Sequence, residues 1–147
     1  MNLVTRFQEY ADAFEETYED DDWSRLEPYF TEAAIYEILA DPPFASRTEG
    51  REKVFAALKQ SVDSTDRRFD TRGLDILEGP DLRDGDVWMR WRVRYEREGT
   101  PGLVIDGTSN AHFEGDRIAL LSDSFDPDSQ QGILTFLGEY GAKLKPA

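Results

Sequence analysis

The chain has 147 residues, near the usual size of one domain and long enough to bury a core without staples. It has no cysteine, which excludes disulfides, thiolate metal sites and cysteine nucleophiles. Its 17 Lys and Arg face 31 Asp and Glu, a formal charge of −14 that repels phosphate backbones and argues against nucleic-acid binding.

The first residues, MNLVTRFQEY, are amphipathic and carry Glu9, so they do not read as a signal peptide. No apolar run approaches the roughly 18–20 residues that span a bilayer. The absence of cysteine permits a reducing compartment, and a cytoplasmic location is expected.

Residues 3–20 carry the spacing of an amphipathic helix. Leu3, Phe7, Tyr10, Ala11, Phe14 and Tyr18 fall on one face, with Glu9, Asp12, Glu15, Glu16 and Glu19 on the other. The acidic run at 19–22 reads as a solvated turn. A short second helix is expected at 23–30, with Asp22 as its cap and Trp23, Leu26, Tyr29 and Phe30 as its buried stripe. The apolar run 33–39 reads as a strand that Pro42 and Pro43 stop. Glu49-Gly50-Arg51-Glu52 opens a third helix reaching about residue 63, with Val54, Phe55, Leu58 and Val62 inward.

The period then changes to two. Residues 68–77, 87–98, 103–113 and 117–125 read as strands, separated at Gly79-Pro80 to Asp86, at 99–102 and at 114–116. The clearest alternation sets Val87, Met89, Trp91, Val93 and Tyr95 against Trp88, Arg90, Arg92, Arg94 and Glu96. A final helix is expected over about 128–142, with Ile133, Phe136, Leu137 and Tyr140 on one face. Helices followed by a run of strands predict a single α+β domain over 1–147, built on an antiparallel sheet.

Several local patterns then resemble the nuclear transport factor 2-like superfamily, and within it the SnoaL-like, polyketide cyclase-like branch. They are Asp22-Trp23 with Leu26 and Tyr29-Phe30, then Ala33 to Glu37, then Glu49 to Val54. Gly85-Asp86-Val87 through Trp91 and Gly115 to Ile118 with Asp123 to Asp126 complete the series, so the resemblance covers roughly 5–127. It implies a cone-shaped, curved antiparallel sheet packed against three N-terminal helices, the cystatin-like roll, around a hydrophobic pocket. Its function is left open, because one fold hosts many activities.

The resemblance also directs attention to carboxylates and tyrosines inside such a pocket, where burial lifts a carboxyl toward a useful pKa. Asp123 shares a strand face with Leu121 and Phe125 and aligns with an aspartate that is catalytic in cyclase and epoxide-hydrolase branches. Glu37 is the second catalytic candidate, and it reaches the pocket only if its strand turns there; otherwise it is a surface residue. In ketosteroid isomerases the general base would fall at Ile38, the oxyanion-hole tyrosine at Phe14 and the protonated aspartate near Ser109. Ile38 cannot take a proton, Phe14 cannot donate a hydrogen bond and Ser109 is a weak substitute, so steroid isomerisation is set aside. Tyr36, Tyr18, Trp23, Phe44, Trp91 and Ser109 are the expected pocket residues.

Arg94 and Glu96 loosely resemble an epoxide-hydrolase pair, but alternation places them on the outer face. His112, the only histidine, has no second ligand at a metal-binding spacing, and neither a metal nor another cofactor is expected. The outer sheet face with Trp88 suggests a homodimer, as the resemblance also implies. Two functions stay open: a pocket protein doing cofactor-free acid–base work on a small hydrophobic carbonyl- or hydroxyl-bearing molecule, or a non-catalytic binding or interaction domain.

Overall fold

A computed structural model describes residues 2–147. Helix α1 runs Leu3–Asp20. Asn2 starts it by accepting the Thr5 amide on its side chain at 3.1 Å. Asp21 ends it in the left-handed conformation, φ 64°, and donates its amide to the Thr17 carbonyl. A 3₁₀ segment, Trp23–Tyr29, replaces the expected second α-helix. Asp22 does not cap it; the Asp22 carboxylate accepts from the Ser24 hydroxyl at 2.6 Å instead.

Strand β1, Phe30–Leu39, leads through a proline turn to the short strand β2, Ser46–Glu49. No apolar alternation announced β2, because Ser46-Arg47-Thr48-Glu49 is polar throughout; it pairs with β1 as an edge. Helix α2 is Arg51–Ser64, and Val54, Phe55, Leu58 and Val62 are its buried face. Then come β3 (Thr71–Arg83), β4 (Asp86–Glu96), β5 (Leu103–Glu114), β6 (Arg117–Phe125) and α3 (Pro127–Tyr140). Strand β3 begins later than the pattern suggested, because 66–68 form a 3₁₀ turn. It also runs through Gly79-Pro80, expected as a separator. Two register shifts absorb the proline on this edge strand, where a missing donor is tolerated.

The six strands lie in the order β2-β1-β6-β5-β4-β3. The sheet is mixed rather than wholly antiparallel, because β1 runs parallel to β6, with Tyr36 beside Leu121 and Ile38 beside Asp123. Everything from β2 to β5 intervenes in sequence, which is what allows a parallel pair. Register shifts also occur between β1 and β6 and between β5 and β6. Such bulges bend strands and increase twist, and here they curl the sheet into a concave face. Val87, Met89, Trp91, Val93 and Tyr95 point into that face from β4, and all are buried. Helices α1 and α2 cover it, and α3 joins them from the far end of the chain through Ile133 and Phe136.

One close approach fixes the centre of the face. Gly107 on β5 lies opposite Trp91 on β4. A Cβ at Gly107 would collide with the Ser124 carbonyl oxygen and come within 2.7 Å of the Trp91 ring. Only glycine lets that indole lie down on the sheet. Gly107→Ala is expected to cost about 3 kcal/mol, the upper end of overpacking penalties, because rigid backbone is one of the obstacles. Urea denaturation measures it; a loss under about 0.5 kcal/mol would mean that the ring does not lie there.

Candidate functional site: a cavity with a buried carboxyl

Between the concave sheet and the helices lies a cavity of about 360 Å³. Its walls are mostly apolar, with Phe14, Ile38, Phe44, Met89, Ile105 and Phe125 among them. Phe44 meets Phe125 edge-on at 6.1 Å, and Phe125 meets Trp91 edge-on at 6.1 Å. Buried Gln130 on α3 holds this wall in place. It accepts from the Asp41 amide at 3.0 Å and donates to the Phe125 carbonyl at 2.9 Å, tying the β1–β2 turn to the end of β6.

Asp123 projects into this cavity from β6, between β1 and β5. The Tyr36 hydroxyl donates to Asp123 Oδ2 at 2.8 Å, and the Ser109 hydroxyl donates to Oδ1 at 2.6 Å. Trp91 Nε1 donates in turn to Ser109 Oγ at 3.0 Å, which orients the serine proton toward the carboxylate. Among the described residues no cation reaches the group. Burial therefore dominates and raises the Asp123 pKa, while the hydrogen bonds from Ser109 and Tyr36 pull it partly back. Tyr36 is raised in return, first by its own burial and then by the neighbouring Asp123 charge. The arrangement is a carboxyl that keeps its proton more readily than an exposed one, with its two oxygens fixed by neutral donors.

Asp123, Tyr36, Trp91, Ser109 and Phe44 all line the cavity, so the structure brings together five of the eight residues expected there. Three are corrected. Glu37 follows Tyr36 on β1 and points to the opposite face of the strand, as the period of two requires. There it accepts from Arg47 at 2.9 Å and from the Ser122 hydroxyl at 2.7 Å. Tyr18 is held outside by the Arg67 and Arg72 guanidiniums, 5.5 and 5.0 Å from its ring centre. Trp23 donates to Asp21 at 2.7 Å and stands behind Phe14, edge to face at 6.0 Å. Phe14, Ile38 and Ser109 also line the cavity. Arg94 is exposed on the outer face, paired with Asp75 at 2.8 Å, and exposed His112 sits 2.7 Å from Asp86.

Sequence reasoning missed a second polar group on the cavity wall. Arg72 Nε donates to Asp66 at 2.7 Å, and its Nη1 donates to Glu15 at 2.9 Å. Burial raises the Asp66 pKa, although Arg72 and the Tyr95 phenol work against it. Tyr95 stands four residues beyond Trp91 on β4, about 13 Å at ~3.3 Å per residue, so this group marks the other end of the cavity. Glu15 and Arg72 are separated by 57 positions, and no local spacing signals their meeting. Tyr10 on α1 was also missed as a site residue, because its helical spacing announces only core; it lines the cavity wall. Among the described residues no three His, Asp or Glu are grouped to hold a metal ion, and no helix is long and apolar enough to cross a membrane.

Residues 8–121 match the family model of the SnoaL-like domain. No curated protein sequence matches the chain. Among solved structures, Bal32a from a soil-derived mobile gene cassette superposes with a TM-score of 0.64 at 21% identity, over 86% of this chain and 93% of its own. An LEH-like epoxide hydrolase of M. tuberculosis gives 0.61 at 18% identity, over 95% and 97%. An NTF2-like protein of unknown function from Burkholderia pseudomallei gives 0.63 at 12%, over 88% and 95%. At these identities the likeness is one of fold.

The Asp123 environment has a consequence for stability. Its folded pKa lies above the unfolded value of about 3.9. The folded state therefore binds the proton more tightly. Its contribution is fully present below about pH 3.9 and is lost as pH rises through the folded pKa. Asp123→Asn carries no such titration. The stability difference, variant minus wild type, should therefore increase with pH from 4 to 8 in paired urea denaturations. A flat difference would mean that Asp123 titrates like an exposed carboxyl.

Proposed function

The chain belongs to the SnoaL-like domain family, and on that footing we propose that its cavity binds a small hydrophobic molecule bearing a carbonyl or hydroxyl and moves a proton on it without a cofactor. The observation that carries this reading is Asp123, a half-buried carboxyl on an apolar cavity, held by two hydroxyls and, among the described residues, neutralised by no cation. A carboxyl with only a structural role is usually paired with a cation or buried without access. This one lines about 360 Å³ of space that the protein's own side chains leave unfilled. That space favours the small-molecule reading over a non-catalytic interaction domain.

In this reading Asp123 is the acid or base, and Tyr36 and Ser109 hold its oxygens in place. Trp91 positions Ser109, and the aromatic walls keep the environment of low polarity, which keeps the carboxyl pKa high. Cyclisation, isomerisation, dehydration and hydrolysis all fit such a group. Asp123→Asn should lower the turnover of any substrate found in a screen by at least about 100-fold, within the range for removal of an acid–base group. Unchanged turnover in a folded variant would remove Asp123 from the chemistry.

The proposal extends to a homodimer formed through the outer sheet face. Arg90, Arg92 and Arg94 lie flat there against Asp126, Asp106 and Asp75, at 2.6, 2.7 and 2.8 Å. The Arg83 guanidinium stacks 3.4 Å above the Trp88 ring, and Val104 is exposed beside them. The charges on this face are already paired, which suits burial against a copy of itself. Light scattering should report a monomer for Trp88→Glu and a dimer for the wild type; a dimer in both would move the interface elsewhere.

A further inference from the structure

We infer that the Tyr10 hydroxyl is a ligand-anchoring donor of the cavity, which receives the carbonyl oxygen of a neutral ligand while Asp123 faces the atom that gains or loses the proton. The inference rests on the proposed small-molecule function and names the group that would read the ligand's oxygen.

Tyr10 sits mid-way along α1, and only 7% of its surface is exposed. Its ring is held from several sides: Phe7 at 5.8 Å, Phe14 at 6.4 Å, Tyr29 at 6.3 Å, and Phe30 edge-on at 5.3 Å. Those contacts fix the ring and leave the phenol no freedom to seek solvent. A tyrosine buried this deeply ordinarily finds a hydrogen-bond partner for its hydroxyl, because an unpaired polar group in an apolar setting is costly. Among the described residues the Tyr10 hydroxyl has none. It is not among the sealed, unsatisfied polar atoms either, a condition met by Arg51 Nε alone. The residue lines the cavity, so the cavity is where this donor has its access.

The other hydroxyls around Asp123 are already committed. Tyr36 and Ser109 both give their protons to its carboxylate, and the Trp91 N–H goes to Ser109. Tyr10 is the phenol near that centre with its proton still to give. Its pKa is raised by burial first and by the Asp123 and Glu15 charges next, so it stays protonated and can only donate or accept as a neutral group. A donor and a carboxyl on one apolar cavity suit an acceptor oxygen beside an acidic or basic centre, as in a ketone. An anionic ligand is disfavoured. Of the two arginines on the cavity wall, Arg72 is held by Asp66 and Glu15, and Arg68 donates to the Lys145 and Gly141 carbonyls.

The test is Tyr10→Phe, which deletes one oxygen and leaves the ring packing. Because the hydroxyl has no protein partner, the melting temperature should stay within about one degree of wild type. A fall of several degrees would reveal a structural partner and overturn the inference. Two matched probes, 1-indanone and indane, differ only in the carbonyl, and tryptophan fluorescence reports their binding, since Trp91 alone of the three tryptophans lines the cavity. Indanone should bind Tyr10→Phe about five- to tenfold more weakly than wild type, the loss of one neutral hydrogen bond. Indane should bind both proteins equally. Equal indanone affinity for the two proteins overturns the role of Tyr10 while leaving the pocket function standing. Failure of both probes to bind the wild type overturns the pocket function and the inference together.

Discussion

A carboxyl group placed out of water without a counter-charge is the constraint on which the cavity is built. In an apolar surrounding an unpaired carboxylate costs several kcal/mol, and a protein meets that cost by pairing, by hydrogen bonding or by keeping the proton on. Here Asp123 receives two hydroxyl donors and, among the described residues, no cation. Each donor demands its own geometry. Tyr36 must point inward from β1, which requires the parallel register that sets Ile38 beside Asp123. Ser109 must stand opposite Asp123 on β5, and Trp91 must lie over Gly107 to hold Ser109. The curvature of the sheet, the glycine on β5 and the aromatic wall thus follow from a single polar group.

The other end of the cavity solves the same problem differently. Asp66 is also buried, but Arg72 compensates it and shares its charge with Glu15. That cluster joins α1, the turn after α2 and the start of β3, and it serves as a brace between elements. The contrast separates a carboxyl paired with an arginine from one that lines the cavity with neutral donors alone. Both are half-buried aspartates with pKa values raised by desolvation, and their partners distinguish them.

Much of the fold was legible in the sequence because its signals are local. The spacing of Phe7, Tyr10 and Phe14 marks α1, and the alternation from Val87 to Tyr95 marks β4 and its inner face. Asp123 was readable for the same reason, since Leu121 and Phe125 flank it on one strand face. What escaped depends on partners distant in the chain. The polar β2 has meaning only beside β1, and β3 passes its proline only as an edge. Glu37 misled because it adjoins the right positions while the pleat turns it the wrong way. Tyr18 and Trp23 misled because being aromatic near a pocket is not facing it. For Tyr10 the helical spacing said core, and nothing local reports whether a buried phenol has a partner.

The parallel pairing of β1 with β6 also sets when the site can exist. Tyr36 and Asp123 are 87 positions apart, and they meet only when β1 lies beside β6. Closing so long a loop spends chain entropy before any contact returns it, so this pairing belongs to the late, slow part of folding. A partly formed chain, with its helices and the β3–β4–β5 meander in place, has an apolar face but no organised carboxyl. Parting β1 from β6 would separate Tyr36 from Asp123, so the cavity's hydrogen-bonded carboxyl depends on the one parallel pairing of the sheet.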